Sequence, residues 1–395
     1  GRNLIRRKHA ENAVCPGNHR TGYGRHEIGE GKKYDSGKTK KSKIHSFQQA
    51  YFTHSLCSGV RLRSCYDGAF RIFPIAAYGA MLEGCFGNLN SVAEVLLKMI
   101  PLLLAALGLT ISSRAQVISI GSEGQIYLGA LGAAAVGLFM GDLPMLIALP
   151  LCMIVGTVLG GVWGGIAGWL KVKKDANEII VTLMMNYVAI EIVRYLVSGP
   201  WRDPNGVEPF SATITRGAYM PILVPRTRLH IGLIIALLMV VLFWWLLRRT
   251  TFGYQLTVCG SNPDAAQTNG INKGKMIVLS MLISGGMSGL AGAIELMGVH
   301  HRLVEEVSPE YGFTAIIIAV LGRGNPIRVL FVSFLFSILT VGADGMRRSL
   351  GIPVSVGSIL QALVLLFVLG SEFYERRLLT KERIEAQAAG EGGVK

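Results

Sequence analysis

Pro144-Met-Leu-Ile-Ala-Leu-Pro-Leu-Cys-Met-Ile-Val-Gly-Thr-Val-Leu-Gly-Gly-Val-Trp-Gly-Gly-Ile-Ala-Gly-Trp-Leu170 carries no charged side chain and is followed at once by Lys171, Lys173 and Lys174. A bilayer core needs roughly 20 apolar residues per helix, because no water is there to satisfy exposed backbone groups. The stretch therefore reads as one membrane-crossing helix with its basic end in the cytoplasm. Inside it, Gly156, Gly160, Gly164 and Gly168 recur every four residues. Positions four apart stack on one helix face, so these glycines make a groove along which another backbone can approach.

Working outward, the same criterion selects Ala93–Ser112, Gly124–Met140, Asn177–Ser198, Leu229–Leu247, Met276–Gly298, Ile327–Met346 and Pro353–Gly370. Tyr311–Gly322 is too short to cross alone and is expected to be re-entrant or tilted. The fold class is thus all-α, a polytopic membrane helix bundle with about nine visible spans. The 51% hydrophobic and 16% charged content agrees, as do 49 glycines, far more than a soluble domain of this size usually carries. Two further small-residue faces, Gly129/Ala133/Gly137 and Ser280/Ser284/Ser288/Gly292 with Gly285, Gly289 and Ala293 alongside, mark close helix packing.

The net charge of +14 invites a nucleic-acid reading, but residues 1–72 hold 15 Lys/Arg against five Asp/Glu, so +10 of it lies in one tail. The rest clusters at helix ends: Lys171/Lys173/Lys174, Arg248/Arg249, Lys273/Lys275, Arg323/Arg328 and Arg376/Arg377. That is the positive-inside distribution, and it excludes a nucleic-acid partner. It sets 199–230 outside, the loop after Arg249 inside and the tail 373–395 inside. Residues 1–72 contain no span and no secretory signal. Run backwards, the topology asks for a helix before Phe73, so the segment is expected to be disordered, or an artefact standing where a first helix belongs. Translocation of the basic tail against the charge rule is the other reading.

No catalytic constellation emerges. Six cysteines form no C-x-x-C pair and no zinc spacing, and Cys152 and Cys259 are expected in the packing. Gly31–Thr39 has five residues between its glycines where a phosphate loop needs four, and Gly270–Met276 has three. The chain is therefore expected to be no enzyme, to hold no metal or cofactor and not to hydrolyse ATP.

Polar groups at membrane depth are the candidate site, since a charge in mid-span costs about 2.5–3.5 kcal/mol on insertion scales and needs a partner or a job. Gly121-Ser122-Glu123-Gly124-Gln125 lies between two spans with helix-breaking glycines, the arrangement of discontinuous elements in transporters; a cytoplasmic turn with a solvated Glu123 is the plainer alternative. Glu178, Thr182 and Asn186 form one polar stripe, Asn186 facing either a pathway or a neighbouring helix. Ser284 and Ser288 either pack or line a polar path. Glu191 and Arg194 read as a local ion pair, and Glu295, near an outer end, as solvated.

Asn262-Pro263-Asp264-Ala265-Ala266 is a capped helix start with Pro in the first turn, and Gly270 before Ile271 is its stop. This short helix, approached through Gly260, lies in a cytoplasmic loop where a soluble partner can grip it. Here the sequence resembles the permeases of binding-protein-dependent ABC importers of the branched-chain amino acid, ribose and nucleoside type, and is most similar to the larger permease of nucleoside or simple-sugar systems. Ile118-Ser119-Ile120-Gly121-Ser122-Glu123-Gly124-Gln125 is similar to the family's Asn-Ile-Gly-x-Glu-Gly-Gln run, with Ser119 in the Asn position. Pro74–Tyr78, Glu178–Tyr187 and Leu321–Pro326 resemble it too, in order, over about 73–372.

The resemblance implies ten spans, a bacterial cytoplasmic-membrane location, and a partnership with a cytoplasmic ATPase that binds the ATP. It also implies a second homologous permease as heterodimer partner, and an extracytoplasmic substrate-binding lipoprotein docking around Trp201–Arg226. The expected activity is inward movement of nucleosides or simple sugars by ATP-driven alternating access. An ion-coupled secondary transporter is the competing reading, motivated by Glu123, Asn186 and the broken helix. A passive channel is weaker, since no ring of charge is visible.

Overall fold

The computed structural model describes residues 74–141 and 144–351, with isolated positions at 353, 355, 359, 362, 363 and 366. The segment 1–72, most of the expected span Pro353–Gly370 and the tail 373–395 lie outside the described residues. The helices are α1 (Pro74–Phe86), α2 (Leu89–Arg114), α3 (Ser122–Phe139), α4 (Met145–Lys174), α5 (Glu178–Ser198) and α6 (Gly232–Arg249). They continue as α7 (Thr251–Ser261), α8 (Pro263–Thr268), α9 (Lys273–Glu295), α10 (Tyr311–Leu321) and α11 (Pro326–Leu350). One π turn, Leu296–His300, prolongs α9. Among the described residues no strand forms, only three isolated bridges.

Among the described residues six helices, α2, α4, α5, α6, α9 with its π turn, and α11, are long and apolar enough to cross a membrane. α3 forms where a span was expected, but Ser122, Glu123 and Gln125 fill its first turn and it lies in the interior. α10, of 11 residues, is too short to cross, as its sequence predicts. α7 was not foreseen: Thr250 caps it by accepting a bond from the Gly253 N–H at 3.4 Å.

In α2, 89% of the apolar window is buried inside the protein, against 28% in α4 and 22% in α5. So α2 is the central post, and α4 and α5 form the wall. The outward side chains of the wall, such as Leu146, Ile154, Val158, Ile180 and Met184, are exposed and apolar, as a lipid-facing surface requires.

Lipid gives helices no hydrophobic reason to associate, so the interior depends on close backbone contact. A Cβ on Gly160 would stand 2.6 Å from the carbonyl oxygen of Gly285 and from the Cα of Gly289. One on Gly156 would stand 2.7 Å from the carbonyl oxygen of Gly129. The three small-residue faces therefore meet each other in α3, α4 and α9. It is the flank Gly285/Gly289/Ala293 that faces α4, while Ser284 backs onto Gly108 of α2. Across the bundle Lys98 pairs with Asp344 of α11 at 2.7 Å, and the Ser337 hydroxyl donates to the carbonyl of Val95.

Candidate functional site

After Arg114 the chain leaves helical geometry, passes through Gln116 at φ 58°, and becomes helical again only at Ser122. The first amides of a helix have no partner within it. In α3 the N-cap is Gly121, which has no side chain to supply one. The missing groups come from α5. Asn186 Oδ1 accepts from the Gly124 N–H at 2.9 Å, and its Nδ2 donates to the Ile120 carbonyl at 2.7 Å. The Thr182 hydroxyl accepts from the Ile120 N–H at 3.1 Å and donates to the Glu178 carbonyl at 2.6 Å. Asn186 is eight residues into α5, about 12 Å from its N-terminal end, and fully buried, so the break lies inside the bundle. Gly124 permits the approach: a Cβ there would be 2.8 Å from the Cα of Asn186.

Glu123 is 3% exposed, not a solvated turn residue. Its Oε2 accepts from the Gly312 N–H at 2.6 Å, in the first turn of α10. That helix too begins inside the protein, capped by Ser308, whose hydroxyl accepts from the Tyr311 N–H at 3.0 Å. Two interrupted helices thus point their N-terminal ends at one carboxylate, and both dipoles favour its negative charge.

The structure brings Glu123, Gln125, Thr182 and Asn186 together around the start of α3. Gln125 lies by Gly121 and Gly164, its Oε1 buried without a partner among the described residues, like Ser122 Oγ. Among the described residues no hydrogen bond joins Ser284 or Ser288 to this group. Ser288 donates to the carbonyl of Ser284 at 3.2 Å, and both are enclosed between helices. Glu178 is held by Lys171 at 2.6 Å. Arg194 pairs with Glu191 as expected and, at 2.5 Å, with Glu305, tying the outer end of α5 to the irregular segment before α10. Glu295 corrects its expectation: it is 6% exposed, because the π turn and the residues after it cover the outer end of α9.

At the cytoplasmic end α8 has the ends its sequence predicts. Asn262 Oδ1 accepts from the Ala265 N–H at 3.1 Å. The Ile271 N–H donates to the Ala266 carbonyl and the Gly270 N–H to that of Gln267, both at 2.9 Å, with Gly270 at φ 78°. Ala266 is buried, while Asn262, Asp264, Gln267 and Thr268 are exposed. Gly260, just before, presses on the carbonyl of Arg114, where no side chain would fit. The Arg114 guanidinium donates to the Gly324 carbonyl at 2.7 and 3.1 Å. The end of α2, the loop between α10 and α11, and the α7–α8 hairpin are therefore fastened at one joint, which sequence reading missed because its members are far apart in the chain.

Interrupted helices capped from their neighbours at membrane depth, joined to a capped cytoplasmic helix, define a multi-pass membrane transport protein. The model of the branched-chain amino acid transport system permease component family matches residues 91–369. The chain belongs to that family and is a permease subunit of the cytoplasmic membrane. It is 35% identical to a glucose ABC transporter permease of Haloferax volcanii, over 78% of this chain and 83% of that one. It is 35% identical to the guanosine ABC transporter permease NupP of Bacillus subtilis, over 75% and 86%, and 30% identical to the nucleoside permease NupB of Lactococcus lactis, over 81% and 90%. No solved structure matches the chain.

Proposed function

We propose that this chain is one permease of an ABC importer that moves nucleosides or simple sugars inward, driven by ATP bound and hydrolysed on a separate cytoplasmic subunit. The observation that carries this reading is the joint at Arg114, which links the exposed helix α8 to the stretch that opens into the broken start of α3 and to the end of α10. A pull on α8 would be passed through Gly260 and Arg114 to both interrupted helices. Their meeting point at Glu123 would then shift and change the side to which the core opens. The relatives named for guanosine, nucleoside and glucose support the substrate class. A second permease would complete the assembly: Bacillus subtilis and Lactococcus lactis each hold a further, weaker relative, 27% and 23% identical to this chain. A substrate-binding lipoprotein would dock on the external segment around Trp201–Arg226.

The test is uptake of labelled guanosine and glucose into proteoliposomes holding this chain, its paired permease, the ATPase and the binding protein. Uptake is expected to require ATP, and Asp264→Arg on the exposed face of α8 is expected to lower it about tenfold, as loss of an interfacial contact does. Uptake that ignores ATP and collapses with a protonophore would instead mark an ion-coupled transporter.

A further inference from the structure

A cavity of about 290 Å³ lies on the outer side of the bundle, above the meeting point of α3 and α10. Glu94 and Lys98 of α2, Glu295, His300 of the π turn, Glu306 and Tyr311 line it. Glu295 is more than nine-tenths buried, and no side chain or amide among the described residues donates a hydrogen bond to it; the nearest imidazole nitrogen, His300 Nε2, is 3.9 Å away. Lys98, on the same cavity wall, gives its hydrogen bond to Asp344 at 2.7 Å, so it acts on Glu295 through its charge alone. A buried carboxyl group without a hydrogen-bond partner is costly. Its walls mix the carboxyl groups of Glu94, Glu295 and Glu306 with the donors of Lys98, His300 and Tyr311, so it suits a ligand whose groups both donate and accept.

A bare cation is a poor fit. Among the described residues no three His, Cys, Asp or Glu side chains converge closely enough to hold a metal ion. Carboxylates spread around a chamber near the lower size limit of ligand pockets match several hydroxyl groups on one small molecule. Tyr311 adds a ring against which the C–H face of a sugar can rest. The π turn, a local irregularity of the kind found at functional sites, brings Val299 and His300 to the wall. Glu94 also lines a second cavity of about 590 Å³ with Asn88, Asn90, Ser91 and Arg228, at the ends of the helices.

We infer that this outer cavity is a sugar-hydroxyl site on the entry side of the translocation path, with Glu295 and Glu94 accepting from the ring hydroxyls of the solute. It rests on the reading that the chain carries a nucleoside or simple sugar. The experiment uses the assembled transporter with a cysteine-free permease carrying Val299→Cys. Labelling by a membrane-impermeant maleimide is followed with and without guanosine or glucose, beside uptake of the same solutes. The transported solute is expected to slow labelling roughly tenfold, and Glu295→Leu to abolish that protection; Glu295→Gln, which keeps the shape and one acceptor, is expected to weaken it. Transport without protection, or protection by sodium chloride alone, overturns the site and leaves the importer reading standing. Neither transport nor protection by either solute overturns both.

Discussion

Asn186 shows how much one side chain carries. With one amide it satisfies a donor on Gly124 and an acceptor on Ile120, both in a region without water to replace it. Asn186→Ala leaves two buried backbone groups unpaired and is expected to destabilise the purified protein by about 2–4 kcal/mol, read as a lower thermal midpoint in detergent. Asn186→Asp keeps the acceptor for Gly124 and loses the donor to Ile120, so it is expected to fall between. Sequence reading placed Asn186 near the middle of its span and left its direction open. Depth follows from counting along a span, whereas direction depends on which neighbour needs a bond, and that neighbour is more than 60 residues away in the chain.

At the scale of elements, the long spans were legible because lipid forces each to be a continuous apolar helix, and the observed helices differ from the expected runs by only a few residues at their ends. Small-residue spacing identified the faces of α3, α4 and α9 that meet. It did not tell which face of α9 goes to α4, since Gly285/Gly289/Ala293 and Ser280/Ser284/Ser288 have the same four-residue period. Gly160→Leu would force a branched side chain into the backbones of Gly285 and Gly289; a loss of at least about 3 kcal/mol, seen as loss of monodisperse protein in detergent, is expected. Gly165, whose nearest neighbours are side-chain carbons of Leu282 at 3.7 Å and beyond, should tolerate Ala with little change. The joint at Arg114 makes a different prediction. Arg114→Ala is expected to leave ATPase binding in place while ATP-driven uptake falls about tenfold, because the handle remains and its link to α10 is cut.

For the whole molecule, charge at helix ends sets the expected sidedness, and the outer cavity escaped notice because burial is a collective property. Glu295 looks solvated from its place near the end of a span, yet the π turn and the residues that follow enclose it. Lys98 and Asp344 each sit in a predicted span, but nothing local pairs residues so far apart. What joins these parts is sidedness: the handle on α8 must face the cytoplasm while the segment carrying Val207, which is 94% exposed, faces out. Labelling Asp264→Cys and Val207→Cys in intact cells with a membrane-impermeant maleimide tests this most directly. Label on Val207→Cys, with Asp264→Cys reacting only after the cells are opened, is the predicted result; Asp264→Cys labelled from outside would contradict the account.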